Sequence, residues 1–277
     1  MKRLLPILTA WLLCNPVWGA AEAGNYVDDQ ALQGTLTRQV QQLYTANQLT
    51  PMKVLGEQLG RRITAFKLAA PAAQSLLPAE LYRHSEASVL VHCQLYLCDK
   101  CHRTHVTCST CFPLTANGIC VANYHAFTAS NTLAMAVATR AGRVFPVTEV
   151  LAASARDDVV IFRTTAPNLT PLALDVAEVG DAVAVVSHPR SLFYVMTQGA
   201  VARYCLEKGV PRMQITADYA AGSSGGPVLN AGGAVVGMVA STQDLYANPQ
   251  HRQHENLQMV VKLCVPSDSI RKLIKEE

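Results

Sequence analysis

The chain has 277 residues, half of them hydrophobic and 16% charged, with a formal net charge of +3. That balance supports a buried core and excludes a mainly disordered chain. The thin positive charge forms no Lys/Arg block or basic stripe, which argues against nucleic acid as a partner, and no apolar run reaches the length of a transmembrane helix.

Lys2 and Arg3 precede an apolar stretch from Leu4 to Cys14, and an Ala21-Glu22-Ala23 exit follows. A basic start, a short apolar middle and small exit residues form a secretory signal peptide over residues 1–23. Cleavage is expected between Ala20 and Ala23, in an exported chain that is periplasmic or extracellular. Leu13, just before Cys14, is too bulky for a lipoprotein cleavage site. Cys14 leaves with the signal, so eight of the nine cysteines remain in a disulfide-permissive compartment.

Residues 24–79 read as a helical N-terminal segment and linker. Leu32, Leu36, Val40 and Leu43 keep helical spacing, predicting an amphipathic helix over 28–45. Thr50 as N-cap and Pro51 at the first helical position open a second helix to about Leu59. Ala69 to Pro78 carries two prolines and reads as a linker. From about Glu80 short apolar runs alternate with turn residues: Ser88–Val91, Ile119–Ala122, Leu133–Ala138, Val159–Phe162, Ala182–Val186 and Ala234–Val239. Many short strands predict an all-β barrel or sandwich. Thr115–Gly118 and Arg140–Arg143 are expected hairpin turns. A late helix is expected from Ser267, after Pro266, to near Lys275.

The string Gly222-Ser223-Ser224-Gly225-Gly226-Pro227 is the most informative. Flanking glycines allow a sharp turn that exposes a hydroxyl, as an acyl-transfer nucleophile requires. The N–H groups of Gly222 and Ser224 can converge on a developing oxyanion, one such donor contributing about 2.7–4 kcal/mol in the transition state. The plain alternative is a Gly/Ser surface turn.

This string resembles the nucleophile motif of trypsin-like serine peptidases, G-D/N-S-G-G-P. Val121-Ala122-Asn123-Tyr124-His125 resembles the histidine motif of bacterial HtrA/DegP-like members, T-N-x-H-V, and Asp158-Val159-Val160-Ile161 resembles their D-L/I-A-V-L strand entry. Glu178-Val179-Gly180-Asp181, Thr197-Gln198-Gly199 and Val265-Pro266-Ser267 add weaker matches. The likeness covers about residues 80–275 and keeps the His, Asp, Ser order of the chymotrypsin-type fold. It implies two packed six-stranded antiparallel β-barrels, with a helical N-terminal segment and a C-terminal helix. It also implies a serine endopeptidase acting on proteins or peptides, with Ser224 as nucleophile, His125 as base and Asp158 orienting the imidazole. Asp157 competes with Asp158, but the family strand puts the acid immediately before the apolar run. Ser223 competes with Ser224, which alone precedes Gly-Gly-Pro. Ser223 departs from the usual Asp/Asn, and Ala126 from the usual Val/Cys. His84, His92, His188, His251 and His254 match no catalytic motif.

Asp218 lies six residues before Ser224, an offset that in trypsin-like enzymes reaches the base of the specificity pocket. A carboxylate there would favour Arg or Lys; the alternative is a structural Asp. The strand around Thr242 is expected to form a pocket wall. The chain ends with the late helix, so no PDZ-like domain is expected, nor peptide-activated cage behaviour; the residues assign no oligomeric state.

Cys98-x2-Cys101 and Cys108-x2-Cys111, with His105 between and Cys93 and Cys120 flanking, admit three readings. One is a disulfide-stapled hairpin, each bridge contributing about 2–4 kcal/mol. Another is a structural zinc knuckle on four thiolates, or on three and a histidine. The third is a c-type haem string at Cys98–His102. Predicted export favours disulfides, leaving no cofactor expected and zinc as the alternative. Cys205 and Cys264 either bridge or fill space. Two rival functions follow: a silent barrel that only binds, and a metal or redox module at Cys98–Cys120.

Overall fold

In the computed structural model, residues 26–72, 74–247 and 256–275 are described. The signal-peptide reading, Cys14, His251 and His254 lie outside them. In chain order the elements are α1 (Asp29–Thr45), α2 (Met52–Glu57), β1 (Thr64–Ala65), α3 (Pro78–Ser88), β2 (Leu90–Leu97), β3 (Thr104–Pro113) and β4 (Ile119–Ala122). Next come β5 (Thr132–Ala138), β6 (Val144–Ser154), β7 (Val159–Thr164), β8 (Ala182–Ser187), β9 (Val195–Glu207) and β10 (Val210–Ile215). The chain then runs through β11 (Pro227–Leu229), β12 (Val235–Tyr246), β13 (Leu257–Pro266), α4 (Ser267–Arg271) and β14 (Ile274–Lys275). No described helix is long and apolar enough to cross a membrane.

Two closed antiparallel barrels result, in strand orders β2-β3-β4-β7-β6-β5 and β10-β13-β12-β11-β8-β9. Apolar residues of these strands fill the barrel interiors: Met135, Val137, Val150 and Phe162 in the first, Val185, Met213, Val228 and Val239 in the second. A third cluster joins the barrels. Phe112, Ile119 and Val121 from β3 and β4 meet Leu229, Val235, Met238 and Val265 from the second barrel. Closure removes exposed sheet edges, and the shared core fixes one barrel against the other.

The helices follow the sequence reading with corrections. In α1, Asp28 caps through an Ala31 N–H to Asp28 Oδ1 bond of 2.9 Å, and buried Leu36 and Val40 pack with Val91, Leu95 and Phe193. The second helix starts one residue later than expected. Pro51 is its extended N-cap and bridges to Ala134, so Thr50 caps nothing. Helix α3 was not foreseen and spans the expected start of the β region. Pro78 preorganises its first turn, and the Leu77 N–H donates to Glu80 Oε2 at 2.9 Å. The expected late helix stops at Arg271, because Ile274–Lys275 pair in parallel with Thr64–Ala65. The two expected turns lie between strands, with Gly118 at φ 92° and Gly142 at φ 73°. At Gly118 a Cβ would lie 2.3 Å from the Thr164 carbonyl oxygen, so glycine is required on both counts.

Two histidines are fully buried, His92 inside the first barrel and His188 at the end of β8 against Thr110 of β3. His92 shares a 3.1 Å hydrogen bond with Ser109 Oγ and stacks on Phe127 at 5.4 Å. His188 Nδ1 accepts from the Tyr194 N–H at 3.1 Å, which assigns its proton to Nε2. Burial, helped by the charge of His125, pushes His92 down to about 4; burial, opposed by the Leu90 carbonyl, pushes His188 down to about 3. Both rings are therefore neutral when folded but protonate near the ordinary value, about 6.5, when unfolded. The unfolded chain binds the extra protons as pH falls, so stability present above about pH 6.5 is lost toward pH 4 and below. Each unmatched proton steepens the loss by about 1.4 kcal/mol per pH unit. Urea midpoints recorded against pH should fall across this window, and His92→Gln and His188→Gln should each flatten the fall. Unchanged slopes in both variants would refute the assignment.

Candidate functional site

The histidine sits where β4 runs into a short 3-10 turn, Tyr124–Phe127. Buried Ala126 and Phe127 anchor that turn in the first barrel and leave the His125 side chain about half exposed. Ala126, where Val or Cys is usual in the resembled family, packs in the first-barrel core.

The acid comes from the β6–β7 turn. His125 Nδ1 lies 2.9 Å from Asp158 Oδ2 and 3.1 Å from Oδ1, while the His125 backbone N–H donates to Oδ1 at 2.9 Å. Asn123 Nδ2 donates to Asp158 Oδ2 at 3.0 Å and to its backbone carbonyl at 3.2 Å. The carboxylate is thus held by three donor groups, two of them outside the imidazole. Asp158 adopts φ 65°, a left-handed conformation that Asp tolerates and that this network sustains. Asp157 does something else: its carboxylate accepts from Ser154 Oγ at 2.7 Å and its N–H donates back to that oxygen at 3.1 Å, closing the turn.

The Gly222–Gly226 turn precedes β11 in the second barrel. Gly222 and Gly225 have φ of 96° and 84°. A Cβ at Gly225 would lie 2.0 Å from the Thr110 carbonyl oxygen and 3.6 Å from Ala122 Cα. The turn therefore presses against the two strands that lead to His125. Ser223 is buried, and its hydroxyl accepts from Ser187 Oγ at 2.9 Å, a local pairing that fits a serine at this departure from the family pattern. Ser224 Oγ donates to the Ala240 carbonyl at 3.4 Å. Among the described residues, Ser224 Oγ makes no hydrogen bond to His125, and the N–H groups of Gly222 and Ser224 donate to no protein acceptor.

Asp218 is not a buried pocket base. Its side chain is 82% exposed and pairs with Lys262 Nζ at 2.5 Å. The physical reason is register. Thr216, Asp218 and Ala220 face outward, while Ala217 and Tyr219 face the barrel interior. The Tyr219 hydroxyl donates to the Ser241 and Leu263 carbonyls at 3.0 and 2.9 Å. Thr242 is exposed at the barrel end of β12, opposite Lys262 of β13.

All eight described cysteines are free thiols, so none of the expected bridges is present. The four-thiolate set also fails to assemble. Cys108 and Cys111, three apart on β3, face opposite sides: Cys108 packs under α1 with Val91 and Leu95, Cys111 inside the first barrel. Cys108 instead faces Cys93 across the ladder, and the Cys108 side chain together with burial pushes the Cys93 thiol well up. Burial likewise raises Cys111 and Cys120. Cys264 is buried beside the Tyr219 hydroxyl, and Cys205 is half-buried. What does come together is Cys98, Cys101 and His105 at the β2–β3 tip, their ligand atoms within 4.8 Å of one another.

Sequence reasoning missed Thr110, Asn123 as a partner of Asp158, and the buried pair His92 and His188. Asn123 was within reach, since it stands in the histidine motif itself. Thr110, His92 and His188 carry no motif, and only the packing of the two barrels reveals them.

Residues 109–238 match the family model of the trypsin-like peptidase domain. No curated protein matches the chain significantly. Among solved structures, the chain resembles the HtrA-type protease AlgW with a decapeptide, at TM-score 0.56 and 16% identity, over 70% of this chain and 65% of that one. It also resembles a serine-to-alanine variant of AlgW with a tripeptide, at TM-score 0.57 and 15% identity, over 70% of this chain and 61% of that one. The chain thus spans less than two thirds of either neighbour, and at these identities the likeness is one of fold. The match over residues 109–238 and the two-barrel architecture are consistent with a trypsin-like peptidase domain in this chain.

Proposed function

We propose that the protein is an exported serine endopeptidase that hydrolyses peptide bonds through Ser224, His125 and Asp158. The observation that carries this reading is the bond from His125 Nδ1 to Asp158 Oδ2, in a strand end against which the Gly222–Gly226 turn packs. With Nδ1–H donated to the carboxylate, Nε2 is the free basic atom of the ring. To act as nucleophile, the Ser224 hydroxyl has to leave the Ala240 carbonyl for that nitrogen. Apo hydrogen bonds at such sites are commonly loose and tighten on substrate binding.

In the reaction, Ser224 Oγ attacks the scissile carbonyl while His125 Nε2 takes its proton. The tetrahedral oxyanion accepts the N–H groups of Gly222 and Ser224, whose lack of protein acceptors suits that role. His125 then donates the proton to the leaving amine as the C–N bond breaks, leaving an acyl ester on Ser224. A water molecule, deprotonated by His125, attacks the ester and regenerates the hydroxyl. Asp158 keeps the imidazole tautomer and stabilises the imidazolium, and Asn123 positions Asp158. Export rests on the Lys2–Ala23 pattern, and peptide substrates on the family domain, with the peptide-bearing AlgW structures in keeping.

A second reading, a barrel that binds without turnover, draws on the Ser224 hydroxyl pointing at Ala240. A fluorophosphonate probe separates the two. Labelling at Ser224, abolished in Ser224→Ala and lowered at least tenfold in His125→Ala, is expected together with casein hydrolysis. A wild-type chain that neither labels nor cleaves favours the silent barrel.

Specificity for basic residues is not expected. The Asp218 carboxylate is exposed and neutralised by Lys262, so it offers no buried charge to an Arg or Lys side chain. Matched Arg, Lys and Leu peptides should show no basic preference, and Asp218→Asn should change their ratio less than twofold. A strong Arg preference lost in that variant would restore a pocket role for Asp218.

A further inference from the structure

We infer that Cys98, Cys101 and His105 form a zinc site with three protein ligands and an exposed fourth position. It is independent of the peptidase reading and lies at the tip of the β2–β3 hairpin. The tip is a tight loop: the Cys98 N–H donates to the Arg103 carbonyl at 2.9 Å and the His102 N–H to the Cys98 carbonyl at 2.8 Å, with His102 at φ 54°. This closure folds Cys98 and Cys101 toward one side.

His105 enters from the returning strand. It stands opposite Tyr96 in the ladder, and the two rings lie 5.8 Å apart, which limits the imidazole's swing. Its Nε2 lies 3.0 Å from Cys101 Sγ. Zinc bonds of about 2.3 Å to sulfur and 2.0–2.1 Å to nitrogen separate tetrahedral ligands by roughly 3.3–3.8 Å. The present spread of up to 4.8 Å needs side-chain adjustment of about an ångström, with no movement of strands. Asp99 accepts from Asn131 Nδ2 at 2.7 Å, fastening the tip to the loop that precedes β5.

Two thiolates and an imidazole select a borderline-soft ion that accepts tetrahedral geometry, which favours zinc over calcium or magnesium. Cys101 and His105 are exposed and Cys98 half-buried, so water can fill the fourth position. Binding replaces the two thiol protons: Zn²⁺ and two Cys–SH give the neutral Zn–dithiolate and two H⁺. No electron changes hands, and affinity must weaken with acid.

Cobalt(II) titration of the reduced, full-length mature protein tests the site. A single equivalent should give the sulfur-to-cobalt charge-transfer band and the visible absorption of a tetrahedral ion, both removed by zinc. Cys98→Ser and His105→Ala should each weaken cobalt binding at least tenfold while keeping the far-ultraviolet circular dichroism of the parent. Cys108→Ala, where its dichroism shows it folded, should retain the cobalt spectrum. No cobalt spectrum in the reduced parent overturns the proposal, as does its persistence in Cys98→Ser or His105→Ala or its loss in folded Cys108→Ala. Protein isolated without reductant that holds a Cys98–Cys101 disulfide and no zinc also overturns it.

Discussion

Thr110 fastens one barrel to the other beside the proposed catalytic residues. Its backbone N–H donates to the Ser224 carbonyl at 3.0 Å, and its hydroxyl donates to the Gly222 carbonyl at 3.0 Å while accepting from the His188 N–H at 3.2 Å. Its own carbonyl sits so close to Gly225 that only a residue without Cβ fits. One buried residue of β3 thus binds three positions of the second barrel, two through its hydroxyl and one through its backbone N–H. The Gly222–Gly226 turn, with the proposed nucleophile Ser224, is consequently located relative to β3 and β4, the strands that lead to His125. Triad geometry in a two-barrel fold is a problem of relative placement, and buried hydrogen bonds define position more sharply than apolar contact does.

The acid side is organised differently. His125 and Asp158 both belong to the first barrel, so their contact survives small shifts between barrels. Its accuracy comes from Asn123 and the His125 N–H, which bind the carboxylate independently of the imidazole. The left-handed Asp158 needs such support, since an isolated residue at that φ is disfavoured. Under the proposed function, the first barrel therefore supplies the base already bound to its acid, and the second supplies a hydroxyl bonded to the Ala240 carbonyl.

Legibility in the sequence followed the range of the interactions. Gly222–Pro227 encode a turn that depends on neighbours within the string, so the motif and the geometry agree. The preference for Asp158 over Asp157 was likewise local: one residue abuts β7, the other closes a turn on Ser154. Helix α1 was legible from Leu36 and Val40 because its buried face has a simple period. Helix α3 was not, because Pro78 was read as a breaker when Pro at a first turn with Glu80 behind it is a start. Asp218 failed through the loop after β10: the offset from Ser224 was counted correctly, but side chains alternate along that loop, turning Asp218 to Lys262 and giving the interior to Tyr219.

Parity also decides the cysteines. A C-x2-C pair in a tight turn can aim both sulfurs at one point, as Cys98 and Cys101 do. The same spacing on an extended strand cannot, because residues three apart point to opposite faces. Cys108 and Cys111 are therefore committed to different cores, where burial raises the Cys111 thiol and removes it from metal or redox chemistry at the surface. Had Thr104–Pro113 been read as one strand, the four-thiolate reading would have been excluded at once. His105, in the same stretch, would have remained as the nitrogen donor beside the tip. The cysteine-rich segment thus divides into a buried half that packs the first barrel and an exposed half whose donors converge, and only the exposed half is free to exchange ligands with solvent.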